Sequence, residues 1–197
     1  MKKSICGLLS IIILLSLSAC FLPHYYVETN AVGNFLISVD TSTQCVYIDS
    51  YNCENFDEDN RIVIPDEYDG KPITNIGGAP HSAGEASFKI DLSSYINDTE
   101  EGVFHGVFTG PIDTSTFKEN CTVEDVVFTL VISKNITTIA KVDTNRYYPH
   151  INEDGSVTFY HPVFTIECSD ENPHFYAKDG KLYSKETNSI VLNGYHE

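Results

Sequence analysis

The chain has 197 residues, with 12 basic and 28 acidic side chains and a formal net charge of −16. This length corresponds to one domain. A hydrophobic content of 42% against 20% charged residues excludes a wholly disordered chain. Because the negative charge repels phosphate backbones, we expect no nucleic-acid partner.

Residues 1–19 have the pattern of an export signal. Lys2 and Lys3 precede an apolar run from Ile5 to Leu17. As a helix this run spans about 20 Å, which is less than the roughly 30 Å of a bilayer core. The run therefore predicts a signal peptide over residues 1–19 rather than a membrane span of the mature protein.

The segment Leu17-Ser18-Ala19-Cys20 resembles the lipobox of bacterial lipoproteins. The resemblance implies cleavage before Cys20 and lipidation of its sulfur. The lipid would then anchor the protein to the membrane. The alternative is an ordinary signal peptide in which this cysteine occurs by chance. Two or three acyl chains, at about 0.8 kcal/mol per buried CH₂, give a stable anchor. Removal of Lys2 and Lys3 changes the net charge from −16 to −18, which should hold the body away from anionic headgroups.

The chain beyond Cys20 reads as a tether over residues 20–32 and a β domain over residues 33–197. Two alternating runs, residues 34–40 and 44–49, flank a Thr-Ser-Thr turn and predict a β-hairpin. No window favours a helix. Further short strands are predicted at residues 61–64, 72–76, 87–92, 103–108, 125–132, 136–140, 157–160, 163–167, 181–183 and 189–192. Such a series is typical of a sandwich, a barrel or a solenoid.

Internal similarity favours the solenoid. Residues 62–66 and 73–77 read Ile-Val-Ile-Pro-Asp and Ile-Thr-Asn-Ile-Gly, and residues 130–134 and 136–140 read Leu-Val-Ile-Ser-Lys and Ile-Thr-Thr-Ile-Ala. Each pair combines an apolar-x-apolar strand, a turn and an Ile-Thr-x-Ile strand. Repeated units of this kind bury their apolar faces by stacking.

These segments resemble the repeats of BspA-type bacterial leucine-rich-repeat proteins. Residues 61–77 match the Ile-Pro strand, the acidic-Asp-Gly turn and the Thr-x-Ile-Gly strand, and Asn172–Phe175 and Asp179–Tyr183 match the Asn-Pro-x-Phe and Asp-Gly-x-Leu-Tyr patterns. Phe117 and Cys121 are similar to the family's Ala-Phe-x-x-Cys turn. The resemblance covers roughly residues 34–77 and 120–192. It implies a mainly β fold: a short irregular leucine-rich-repeat-like β-solenoid preceded by a β-hairpin.

The sequence also departs from the family pattern. Ser133 replaces the usual proline and Ala140 replaces the usual glycine. Residues 78–110 and 151–163 read as insertions. The alternative to a regular ladder is an irregular β fold that contains solenoid-like motifs.

The cysteines beyond Cys20 are even in number, which in an exported protein predicts disulfides. They are Cys45, Cys53, Cys121 and Cys168. Three pairings are open, one of which joins Cys45 to Cys53 locally, and unpaired core cysteines are the alternative. Because no Cys-x-x-Cys or Cys/His spacing of a metal site occurs, we expect no metal.

The sequence contains no Gly-x-Ser-x-Gly, His-Glu-x-x-His or Walker motif. We therefore expect no enzyme and no cofactor. Aromatic residues outside the repeat pattern are the candidates for a binding surface, with a role in the core as the alternative: Tyr147, Tyr148, His150 and Tyr160. Tyrosine on a rigid strand offers large contact area at small entropic cost.

The two resemblances together imply a lipid-anchored, non-enzymatic module at the surface of a bacterial cell. Its expected partners are host or bacterial surface proteins or glycans. One alternative is a structural or assembly lipoprotein that faces the periplasm or the wall. The other is a hydrolase whose site is not visible in the sequence.

Overall fold

The computed structural model describes residues 27–54, 60–81, 84–85, 87–96, 107–113, 120–140 and 142–194. Within these ranges the protein is mainly β, with several sheets of which none is closed, and the only helix is the short α1. The mainly β class predicted from the sequence is therefore confirmed. The signal peptide, Cys20 and Phe117 lie outside the described residues.

The elements follow one another in chain order as β1 (Val27–Val32), β2 (Phe35–Asp40), β3 (Val46–Asn52), β4 (Arg61–Val63), β5 (Glu67–Tyr68), β6 (Lys71–Ile76), β7 (Pro80–His81), β8 (Gly84–Glu85), β9 (Lys89–Asp91), α1 (Ser93–Ile96), β10 (Phe108–Thr109), β11 (Cys121–Ile132), β12 (Thr138–Ile139), β13 (Arg146–Ile151), β14 (Val157–Cys168), β15 (Phe175–Lys178), β16 (Lys181–Ser184) and β17 (Ile190–Leu192). The first sheet has the order β1-β2-β3-β6-β12, with β5 beside β6 and β9 beside β3. The second sheet has the order β10-β13-β14-β11-β4. Smaller sheets contain β15-β16-β17 and β7-β8.

The predicted hairpin is present, because β2 and β3 pair antiparallel. At its turn, Asp40 accepts hydrogen bonds from the Ser42 hydroxyl at 2.6 Å and from the Ser42 and Thr43 amides at 2.8 and 3.2 Å. These bonds, led by that of the Ser42 hydroxyl, outweigh burial and lower the pKa of Asp40 to about 2. The carboxylate thus fixes the connection between the two strands in its ionised form.

The folded part of the chain begins earlier than predicted. Residues 27–32, which the sequence placed in the tether, form β1 and pair with β2 along their whole length. The two-residue turn Gly33-Asn34 joins the two strands, and Gly33 has a φ of 55°, in the left-handed region that favours glycine. The predicted tether is therefore corrected: its residues from Val27 onward belong to the first sheet.

The segments matched as repeats lie side by side in parallel. Strand β4 pairs with β11, β11 pairs over its full length with β14, and β6 lies between β3 and β12. Corresponding apolar residues form two rows across neighbouring strands: Ile62–Leu130–Ile166 in the second sheet and Ile48–Ile76–Ile139 in the first. Five of these six side chains are buried in one core, against which Ile139 packs.

The turns that follow these strands are also tied together. Asn172 is completely buried, and its Nδ2 donates to the carbonyl oxygens of Ser133 at 2.8 Å and Ile136 at 3.0 Å. Its Oδ1 accepts from the amides of His174 and Phe175, both at 2.8 Å. The Asn-Pro-x-Phe turn is therefore anchored on the turn of the preceding segment.

The two strands predicted at residues 157–160 and 163–167 form the single strand β14. Pro162 lies within it, opposite Val126 of β11. On the other side, β13 pairs with β14 only from Val157 to Tyr160. Pro162 therefore has no β13 residue beside it. A proline is tolerated at such an edge position, because its missing N–H leaves no strand-pairing hydrogen bond unmade on that side.

No disulfide joins any two of Cys45, Cys53, Cys121 and Cys168, so the predicted disulfides are absent from the structure. Cys45 and Cys53 flank the extended strand β3, which at roughly 3.3 Å per residue separates them by more than about 20 Å. Cys121 begins β11 and Cys168 ends its in-register parallel partner β14, so these two also lie at opposite ends. A disulfide requires Cα atoms within about 7 Å, which excludes both pairings.

Candidate functional site

A row of side chains crosses the outer face of the second sheet. It consists of Phe108 on β10, Tyr147 on β13, His161 on β14 and Asp125 on β11, and we call it the aromatic–acid row. The registers pair Phe108 with Tyr147 and Asp125 with His161, and the pair Tyr148–Tyr160 places Tyr147 beside His161. Since side chains alternate along a strand, this face is opposite to the one that carries the core row.

His161 is held at both ring nitrogens. Its Nδ1 lies 2.8 Å from Oδ1 of Asp125, and its Nε2 lies 2.8 Å from the carbonyl oxygen of Thr144. Both partners are acceptors, so a ring with a proton on each nitrogen donates to both at once. The imidazole then links β11, β14 and the loop before β13.

The remaining contacts fix this ring and the loop beside it. The ring of Tyr147 stacks on His161 with centroids 4.4 Å apart and an interplanar angle of 12°. In the loop, Asp143 accepts from Nε of Arg146 at 2.7 Å and from the amide of Asn145 at 3.2 Å, and its own amide donates to the carbonyl of Phe88 at 2.8 Å. The carbonyl of Thr144 is thus presented to His161 by a loop that is anchored on both sides.

A pocket of about 230 Å³ lies beside this ring. Its lining consists of Thr144, His161, Val163, Phe164, Asn193 and Gly194. Val163 is buried on the same face of β14 as His161 and forms an apolar floor, whereas the side chain of Phe164 points into the core from the other face. Thr144 and Asn193 are exposed and polar. Among these lining residues only His161 carries an ionisable group.

Gly194 allows the backbone that follows β17 to lie close to β14. A Cβ at this position would lie 2.1 Å from the carbonyl oxygen of Gly180 and 3.0 Å from that of Phe164. No side chain fits at such distances, so the wall of the pocket requires glycine here.

The hydrogen bonds of His161 leave neither ring nitrogen available to a substrate. In an Asp–His pair that serves as a general base, the second ring nitrogen faces a nucleophile or a substrate. Here the carbonyl oxygen of Thr144 occupies that position at 2.8 Å. Elsewhere in the described part of the chain, no group of three or more His, Cys, Asp or Glu side chains is placed to hold a metal ion.

The structure divides the aromatic residues that the sequence singled out. Tyr147 belongs to the aromatic–acid row, but Tyr148, His150 and Tyr160 lie on the opposite face of the same strands. Tyr148 is 2% exposed, and its hydroxyl donates to the carbonyl of Ile90 at 3.0 Å. Burial raises the pKa of Tyr148. Tyr148 is therefore a core residue, which is the alternative that the sequence left open for it, and it is not part of a binding surface.

Sequence reasoning missed Asp125, Thr144 and His161 as members of one site. Asp125 and His161 are separated by 36 residues and meet only through the parallel register of β11 and β14. Thr144 contributes a backbone atom, which leaves no mark in the sequence. The only local signal was the Tyr160-His161 pair within a strand-like run.

In the described ranges no helix has the length and apolar character needed to span a bilayer. Comparison with protein-family models, with curated proteins and with solved structures finds no match to this chain.

Proposed function

We propose that this chain is a lipid-anchored protein of the bacterial cell envelope whose β domain binds a partner without catalysing a reaction. The anchor is supported by the apolar run of residues 5–17 and the lipobox-like segment that ends at Cys20. A net charge of −18 after removal of residues 1–19 supports a body that stands away from anionic lipid.

The observation that carries the binding function is the pocket beside His161. Its apolar floor and polar rim are the features of a small-molecule site, and its ionisable ring is engaged by Asp125 and by the carbonyl of Thr144. This engagement supports binding over proton transfer. Cell-surface proteins or glycans are the partner classes that the BspA-type resemblance suggests, by analogy rather than from the site itself.

We also propose that the domain is a short, irregular leucine-rich-repeat-like β-solenoid preceded by the hairpin. The parallel pairs β4–β11–β14 and β3–β6–β12 support this architecture, as do the two rows of apolar side chains. The hydrogen bonds from Asn172 to the carbonyls of the preceding turn also support this architecture, because they connect the turns of successive segments.

The anchor is tested by labelling cells with a radioactive fatty acid and isolating the protein. We expect the wild type to carry label and Cys20→Ser to carry none, because the sulfur is the acylation site. Cys6→Ser is the matched control, since this residue lies within the signal peptide and should leave labelling unchanged. Label on Cys20→Ser contradicts the anchor.

The location and the binding function are tested on intact cells. Protease should remove the wild-type protein while a cytoplasmic control survives. Cells that display the protein should adhere to immobilised surface proteins or glycans better than cells that lack it. Protection until the envelope is broken, or equal adhesion of both strains to every surface, contradicts the proposed function.

A further inference from the structure

We propose that the pocket beside His161 binds one uncharged sugar ring, the terminal unit of a glycan, an assignment that rests on the binding function proposed above. The proposal concerns the lining side chains and their chemistry, and it distinguishes neutral from charged sugars.

The size of the pocket limits the ligand to a single ring. At about 230 Å³ the pocket lies below the roughly 300 Å³ at which sites for drug-sized molecules begin. A longer oligosaccharide would therefore place only its end in the pocket and the remainder outside it.

The chemistry of the lining matches the two faces of a sugar. The Val163 side chain offers an apolar floor for the C–H face of a pyranose. The Thr144 hydroxyl and the Asn193 amide each donate and accept hydrogen bonds, as sugar hydroxyls do. These neutral groups can pair with hydroxyls in either direction, which a cavity lined only by donors or only by acceptors cannot do.

The charges favour an uncharged ligand. None of the lining residues is a carboxylate or an ammonium group, and both ring nitrogens of His161 already have partners. When His161 carries a proton on each nitrogen, its charge is offset by the Asp125 carboxylate at 2.8 Å, so a carboxylate ligand finds no unpaired counter-charge in the pocket. The net charge of −18 after removal of residues 1–19 repels such a ligand at longer range. Sialic and uronic acids are therefore excluded, whereas hexoses and N-acetylhexosamines are accommodated.

The pocket wall is fixed before a ligand arrives. Tyr147 stacks on His161, and Thr144 is held through its carbonyl and through the Asp143–Arg146 pair. A prearranged wall lowers the entropy lost on binding, which matters for a ligand as small as one sugar ring.

The test uses the full-length lipidated protein in micelles of a detergent without a sugar headgroup. Saturation-transfer NMR is recorded with methyl glycosides of glucose, galactose, mannose and N-acetylglucosamine. N-acetylneuraminic acid and glucuronic acid serve as charged probes. We expect transfer to at least one neutral glycoside and none to the acids. Transfer to no neutral glycoside, or equal transfer to the acids, overturns the proposal.

Substitutions then place the binding in this pocket. Asn193→Ala removes one amide from the rim and should weaken binding roughly fivefold or more, the effect of one lost hydrogen bond. Asn145→Ala makes the same change at an exposed residue outside the lining and should bind as the wild type does. Thr144→Val provides a second variant, because it removes the hydroxyl and keeps the carbonyl that holds His161.

The outcomes separate this proposal from the proposed function. If cells with Asn193→Ala adhere as well as wild-type cells and the variant binds sugars as tightly, the sugar pocket is refuted while the binding function stands. If wild-type cells adhere to nothing, the binding function itself fails. Unchanged circular dichroism and melting temperature of each variant show that a loss of binding is not a loss of fold.

Discussion

Asn172 gives the sharpest test of how the turns are held together. Its side chain makes four hydrogen bonds in a fully buried position, two to carbonyls of the preceding turn and two from amides of its own turn. At about 1 kcal/mol for each bond, Asn172→Ala should lower the free energy of unfolding by about 4 kcal/mol. That is a large share of the roughly 5–15 kcal/mol by which domains are stable.

Two further variants separate the contributions. Asn172→Asp keeps the oxygen that accepts from His174 and Phe175, but it directs a second carboxylate oxygen at two carbonyls, so the loss should equal or exceed that of Asn172→Ala. Asn135→Ala is the matched control, because this half-buried side chain makes one hydrogen bond to a neighbouring turn, to the carbonyl of Asp66 at 3.0 Å. Its loss should be about 1 kcal/mol or less.

The measurement is urea unfolding of the wild type and the three variants, followed by circular dichroism. The comparison requires similar dependence of the free energy on urea, since a changed slope indicates a changed denatured state. If Asn172→Ala loses no more stability than Asn135→Ala, the side chain of Asn172 does not hold the two turns together, and the reasoning from its contacts is refuted.

Ile76→Asp should unfold the domain, because it places a carboxylate at a side chain with 0% exposure; Ile190→Asp, at 46% exposure, should change the melting temperature little. Gly78→Ala should lower the free energy of unfolding, because Gly78 has a φ of 81° and a Cβ there would lie 2.5 Å from the Cβ of Ala140. Adding Ala140→Gly should recover the part of this loss that comes from the clash but not the part that comes from the positive φ. If the double variant recovers no stability, the predicted clash with Ala140 is refuted. The lowered pKa of Asp40, about 2 against the usual 3.8, means that its stabilisation is present above about pH 4 and is lost as the pH falls through about 2. Acid titration of Asp40→Asn should therefore show a smaller loss of stability over this range than the wild type, and an equal loss would refute the assignment.

The core could be predicted because its signal is local. Alternation of apolar and polar residues fixes which side chains of a strand share a face. The apolar residues in the matched segments, Ile62, Ile76 and Leu130 among them, are accordingly buried. The hairpin was predicted for the same reason.

The site could not be predicted because its contacts are not local. Tyr147 and Tyr148 appeared as one cluster in the sequence, yet neighbouring residues of a strand point to opposite faces. Asp125 and His161 meet only when β11 and β14 pair in a register that no short window contains. Strand β1 was missed because a short run such as Val27–Val32 becomes a strand only when β2 lies beside it.

The location of the aromatic–acid row explains why its chemistry differs from that of the matched segments. Strands β4, β11 and β14 stack in parallel, and their outer face carries threonine pairs such as Thr129–Thr165 and the ion pair Arg61–Glu167. Strand β13, which contains none of the repeat motifs, pairs antiparallel with β14 and adds Tyr147 beside His161. The loop before β13 supplies Thr144 to both the ring and the pocket. The stacked strands therefore provide the frame that holds His161 and Val163, whereas the loop before β13 and the segment after β17 add Thr144 and Asn193 to the pocket. Substitution of Thr144 or Asn193 should alter what the proposed pocket binds without altering the fold that supports it.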